Sequence, residues 1–195
     1  MKESLEIKIA DQIECMLSKD IFRNQRFEIR RDSPLQSRDF EKHRLPLYVD
    51  EGPTLTARTI AYVDALVMDR ESRKVKLLIE YEQNTNPKNL IGNFLAPFMA
   101  DCYISNYSND KNIIFALDKE TTCILLIVCL QRTRGESNRE QAPIQKGEIV
   151  RRQLLGVMDR LIESSNILTG DIIIGDTLDD VEAKTRKIIQ RIVTK

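Results

Sequence analysis

Residues 59–82 read TIAYVDALVM-DRESRK-VKLLIEYE, and this stretch decides the fold. Two apolar runs rich in β-branched residues, 59–68 and 75–82, flank a polar hexapeptide, Asp69 to Lys74. That pattern predicts two strands joined as a hairpin. A single acid, Asp64, interrupts the first run, and the second ends in Glu80-Tyr81-Glu82. Side chains alternate along a strand, so Glu80 and Glu82 share one face while Ile79 and Tyr81 share the other. Pairing the two strands brings Asp64 beside Glu80.

Downstream of the hairpin, Asn86-Pro87 marks a helix start, with Asn as N-cap and Pro in the first turn. The helix is expected to run to about residue 104, with a kink at Pro97. Continuous apolar runs near 112–117 and 122–130 read as central strands covered on both faces. A polar loop, 131–146, carries Arg132, Arg134 and Arg139. An amphipathic helix follows at 147–164, with Ile149, Val150, Leu154, Val157, Met158, Leu161 and Ile162 as its apolar side. A strand at 167–174 and a last helix from Thr177 complete the order. The stretch 122–174 therefore reads as a parallel strand–helix–strand crossover.

Upstream, Leu5, Ile9, Ile13, Met16 and Leu17 have helical spacing and predict a helix over 3–18. Residues 19–57 are broken by Pro34, Pro46 and Pro53, and Phe27 and Ile29 suggest one short strand. No linker is visible. Residues 1–195 thus read as a single α/β domain whose mixed β-sheet is flanked by helices.

The inventory excludes several chemistries. His43 is the only histidine, so a zinc site with two His ligands cannot be built. Neither GxGxxG nor GxxxxGK[ST] occurs. The four cysteines, at 15, 102, 123 and 129, form no CxxC; Cys123 and Cys129 sit inside an apolar run and read as buried reduced thiols, which suits a cytoplasmic protein. The first residues are charged, unlike a secretory signal, and the longest apolar run, Cys123–Leu130, is too short to span a membrane. Thirty Lys and Arg balance thirty Asp and Glu, so net charge names no partner. Locally, residues 23–44 hold seven bases against four acids, and together with the arginines of 132–139 they are candidate phosphate grips.

Carboxylates converging on a sheet repel unless a cation or a shared proton lies between them. Mg²⁺ is the natural guest, because it takes hard oxygen ligands and keeps several waters. The plainer alternative is a solvated hairpin face with the acids paired to Lys74 or Lys76. The amides Gln83, Asn84, Asn86, Asn89 and Asn93 follow the acids and serve either turn and cap chemistry or contacts to bases and phosphates.

The order helix, strand with Asp64, turn, strand with Glu80-Tyr81-Glu82, helix, strand resembles the PD-(D/E)-x-K nuclease superfamily. Val63-Asp64 stands for its Pro-Asp half and Glu80-Tyr81-Glu82 for its (D/E)-x-K half. The resemblance implies a restriction-endonuclease-like core, Asp64 and Glu80 as ligands of Mg²⁺ or Mn²⁺, and position 82 as the third catalytic group. It adds Glu14, an acid on the first helix, as a further candidate ligand. Two departures stand out: Val63 replaces Pro, and Glu82 replaces the Lys. Some restriction endonucleases of the superfamily carry Glu there, and other members are inactive. Lys88, in the first turn of the next helix, is the nearest substitute base, since Lys76 lies roughly 13 Å back along the strand.

The expected function is a metal-dependent endonuclease acting on double-stranded DNA, of the restriction type. A homodimer is expected because cutting both strands takes two active centres; its surface is not readable, although the last helix, with Val181, Ile188, Ile189, Ile192 and Val193, is apolar for a free surface. The alternative is a nuclease-fold binding or assembly protein without activity. A small-molecule α/β enzyme is a third reading, which the missing Gly-rich loop counts against.

Overall fold

The computed structural model describes Asp11, Cys15 and residues 27–31, 45–49, 59–83, 86–105, 111–130 and 144–193. The strands are β1 (Phe27–Arg31), β2 (Leu45–Tyr48), β3 (Thr59–Val63), β4 (Ala65–Asp69), β5 (Lys74–Glu82), β6 (Cys102–Ile104), β7 (Ile114–Ala116), β8 (Cys123–Cys129) and β9 (Thr169–Gly175). The helices are α1 (Pro87–Leu95), α2 (Ile144–Glu163) and α3 (Leu178–Val193), with a 3₁₀ turn at Ala96–Met99. The helix expected over 3–18 lies outside the described residues, apart from Asp11 and Cys15, which are helical.

Among the described residues the nine strands join one mixed sheet. The expected hairpin is its centre: β4 and β5 pair antiparallel, with Ala65 opposite Ile79 and Leu66 opposite Leu78. β1 adds antiparallel to the outer side of β4. On the other side of β5 the sheet forks. Lys74 pairs with Ala116 of β7, whereas Leu77–Glu82 pair parallel with Cys123–Val128 of β8. β9 then pairs parallel with β8, as the crossover reading expects. The second branch runs β7, β6, β2, β3, all antiparallel, and returns to the start of β4 through Asp64.

Two expectations about single elements are corrected. The run 59–68 is not one strand: it divides at Asp64, because β3 pairs with β2 while β4 pairs with β5. The helix from Pro87 does not reach 104. Pro97 has no N–H for the carbonyl of Asn93, so the chain tightens into the 3₁₀ turn and leaves as β6. β2, with the sequence LPLY, was not read as a strand at all.

The sheet carries helices on both faces. Leu90 and Phe94 of α1 and Val150 and Leu154 of α2 pack with Leu78, Leu126 and Ile172 on one. Val181 of α3 packs with Ile79, Leu125 and Ile173 on the other. The seven residues of β8, CILLIVC, are buried throughout, as a strand covered on both faces requires. α1 starts where Asn86 accepts the Lys88 N–H through its side chain at 3.0 Å, and it seats closely on the sheet. A Cβ on Gly170 of β9 would lie 2.9 Å from Cζ of Phe94 and 2.8 Å from Cγ2 of Ile124.

Among the described residues β9 pairs with β8 alone, and two carbonyls on its outer side are occupied by side chains. Arg151 Nε of α2 donates to the Ile172 carbonyl at 2.6 Å, and Lys184 Nζ of α3 donates to the Ile174 carbonyl at 2.7 Å. The apolar side assigned to α2 is only partly used. Val150 and Leu154 are buried, whereas Ile149 is 54% exposed and Val157 is exposed too. The apolar face of α3 is used within the chain: Leu178, Val181 and Ile188 pack on its own sheet and are not a free dimer surface. The side chains of Ile189, Ile192 and Val193 lie outside the described residues.

Candidate functional site

Asp64 stands at the bend between β3, which pairs with β2, and β4, which pairs with β5. Its backbone N–H still bonds to the Ile79 carbonyl at 3.2 Å. One residue pair further on, β3 has turned toward β2, and the Tyr81 N–H needs another acceptor. Oδ2 of Asp64 supplies it at 2.7 Å. The acid that interrupts the apolar run therefore has a structural role of its own: it closes the ladder where the strand bends away.

Glu80 is only 5% exposed, and its carboxyl lies against that of Asp64, close enough to act on its pKa. Two ionised carboxylates could make this contact only with a proton or a cation between them. Burial pushes the Asp64 carboxyl above its ordinary value, while the bonds from the Tyr81 N–H and Glu80 pull it partly back. The hairpin register thus brings Asp64 and Glu80 together, as its alternation implied.

Glu82 lies two residues further along β5, on the side of the sheet that carries α1, beside Val128 of β8. It does not complete a trio. Among the described residues no three His, Cys, Asp or Glu side chains are grouped to hold a metal ion. Instead, Oε1 of Glu82 accepts a hydrogen bond from Nδ2 of Asn93 on α1 at 2.8 Å. Sequence reasoning counted Asn93 only as one of several amides. Its place three residues after Leu90 and one before Phe94, both fully buried, was the available sign that it lies on the sheet-facing part of α1.

The lysines near the hairpin are engaged or remote. Lys74 is ion-paired with Asp118, which raises the lysine and lowers the carboxyl. Lys76 also acts on Asp118, at the opposite end of β5 from the acids. Lys88 is exposed on the first turn of α1. Glu14 and His43 lie outside the described residues, as do the arginines of 132–139.

One candidate phosphate grip is corrected. Arg30 is 4% exposed and points into the protein. Its guanidinium donates to Ser105 Oγ at 2.5 Å and Tyr103 Oη at 3.3 Å, and its Nε meets Glu28 at 3.0 Å. It also stands 6.0 Å from the Tyr103 ring and 5.9 Å from the Phe115 ring. Arg30 ties β1 to β6, four positions away along the sheet path, because the forked sheet curls.

The donor set at Asp64 and Glu80 suits Mg²⁺, which is held elsewhere by one or two carboxylates together with waters and substrate phosphate oxygens. Among the described residues no helix is long and apolar enough to cross a membrane. Compared with models of protein families, with curated proteins and with solved structures, the chain matches none.

Proposed function

We propose that this chain is a metal-dependent endonuclease acting on double-stranded DNA, with a core of the restriction-endonuclease type. One observation carries the reading: two carboxyls, Asp64 and Glu80, are brought together at the bend between β3 and β4, where a strand otherwise takes apolar side chains. Their position, Asp64 just before β4 and Glu80 on its hairpin partner β5, followed by a capped helix, supports the resemblance to the PD-(D/E)-x-K superfamily.

In this reading Asp64 and Glu80 hold Mg²⁺ or Mn²⁺, and Glu14 remains a candidate further ligand. When bound, the cation polarises the scissile phosphate and lowers the pKa of a water. Glu82 takes the place of the usual Lys and orients that water or accepts its proton. Asp64 keeps its bond to the Tyr81 N–H throughout, which fixes one carboxylate oxygen. Two copies act on the two DNA strands of one site, in the cytoplasm.

The second reading is a nuclease-fold binding or assembly protein without activity. It is favoured by Glu82 in place of Lys and by the structural bond that Asp64 already makes. Plasmid DNA incubated with and without Mg²⁺ separates the two. Nicking or linearisation that needs Mg²⁺, and that Asp64→Asn and Glu80→Gln each abolish, is the expected result. An intact plasmid at micromolar protein, or cleavage unchanged in Asp64→Asn, leaves the binding reading. Light scattering that finds only monomer with and without DNA removes the homodimer.

A further inference from the structure

The acids of the site are not held alike. Asp64 is tied to backbone by the Tyr81 N–H and touches Glu80, whereas Glu82 is tied to the amide of Asn93, a side chain from another element. We infer that Asn93 is the positioning residue for the Glu82 carboxylate, an inference that rests on the nuclease reading above.

The geometry makes Asn93 a suitable anchor. Glu82 is the last residue of β5, and a glutamate there has three side-chain torsions to fix. Asn93 has only two, and its backbone is immobilised by its neighbours. Leu90 and Phe94 are fully buried, and the Phe94 ring is wedged over Gly170 and Ile124 of the sheet. The donor that meets Glu82 Oε1 at 2.8 Å is therefore placed by the packing of the core. An ionised carboxylate only accepts, so the amide must turn its NH₂ toward Glu82.

An amide also has a second use. Rotated by half a turn, Asn93 would present its oxygen, an acceptor suited to an ammonium group. The same position can thus serve Glu at 82 or the Lys more usual in the superfamily. An aspartate at 93 cannot: it repels Glu82 but would hold a lysine well.

The test is a double-mutant cycle on Mg²⁺-dependent DNA cleavage, with kcat, KM and the Mg²⁺ concentration for half activity measured for each protein. Asn93→Ala is expected to lower kcat by roughly 10-fold to 100-fold, the scale for a misplaced reacting group. KM and the Mg²⁺ midpoint should stay within about two-fold, since neither DNA nor metal binding runs through this amide. Asn93→Gln, which restores a donor on a longer stem, should recover part of kcat. Asn93→Asp should reverse sign between backgrounds: it lowers kcat in the parent and raises it in Glu82→Lys. Equal effects of Asn93→Asp in both backgrounds overturn the inference, as does an Asn93→Ala protein with the parent's kcat. If Glu82→Lys proves inactive, the Asn93→Ala and Asn93→Gln pair decides. Coupling between the two positions in urea unfolding but not in kcat makes Asn93 a structural tie only, and also overturns it. No Mg²⁺-dependent cleavage by the parent removes the nuclease reading and this inference together, whereas an active parent with an indifferent Asn93 removes this inference alone.

Discussion

Replacing Gly170 by Ala tests how tightly α1, the carrier of Asn93, is clamped to the sheet. In an open strand the change stabilises, because alanine has less freedom to lose on folding, by about 0.4–1 kcal/mol. Here the added methyl would meet Ile124 Cγ2 at 2.8 Å and the Phe94 ring at 2.9 and 3.1 Å. Comfortable carbon contacts are near 3.5–4.0 Å, so Phe94 or β9 must give by roughly 0.6–1 Å. Overpacking of this kind costs about 1–3 kcal/mol. The packing cost wins, for a net loss of about 1–2 kcal/mol, which for a chain of this size lowers Tm by roughly 2–8 °C. Urea unfolding followed by circular dichroism measures the change. Phe94→Leu, which shortens the ring side chain, should cost stability alone but less when combined with Gly170→Ala, with a favourable coupling of about 0.5–3 kcal/mol. A Gly170→Ala protein as stable as the parent, or strictly additive variants, would refute the close seating of α1.

Three further outcomes follow from side chains already placed. Asp64 has a raised carboxyl pKa in the folded protein, so the parent loses stability as pH rises from the unfolded value through the folded one. Asp64→Asn lacks that loss and should unfold at higher urea than the parent above this window, with the gain vanishing at acid pH; no gain at neutral pH refutes the burial argument. Asp118 is shifted the other way by Lys74, so its contribution is present above the unfolded value and fades as pH falls through the folded one; Asp118→Asn should flatten that acid limb, by a small amount because the pair is only partly buried and water screens it. Arg30→Gln should lower stability by about 1–3 kcal/mol, since Ser105 and Tyr103 are fully buried partners. It should leave the salt dependence of DNA binding unchanged, whereas loss of a phosphate contact reduces that slope by about one.

What could be read in the sequence was whatever local periodicity controls. Two apolar runs around a polar turn announced β4 and β5 as a hairpin, whereas the register shift between Val67 and Met68, which sets Ala65 opposite Ile79 and so brings Asp64 to Glu80, has no local signal. The continuous apolar run of β8 announced a strand buried on both faces. Other features are set by partners distant in the chain. Nothing in TIAYVDALVM shows that its first half pairs with Leu45–Tyr48 and its second with Lys74–Glu82. β6 is three residues long, too short for a period, and followed a helix whose end had to be judged at Pro97. Arg30 looked like a solvated base because its counterparts, Tyr103 and Ser105, are more than seventy residues away. Asn93 belonged to an amide-rich run, and only the seating of α1 picks it out.

The occupied outer side of β9 bears on how the chain avoids sticking to its own kind. A strand with one free side invites a foreign strand to add to it. Here Arg151 already holds the Ile172 carbonyl and Lys184 the Ile174 carbonyl, so an incoming chain would have to displace two cationic donors. The guards come from both sides in sequence, 21 residues before and 10 residues after the carbonyls they cover. Closing such short loops costs little entropy. A second copy of the chain that met this margin would find both carbonyls already taken and would have to join by some other surface.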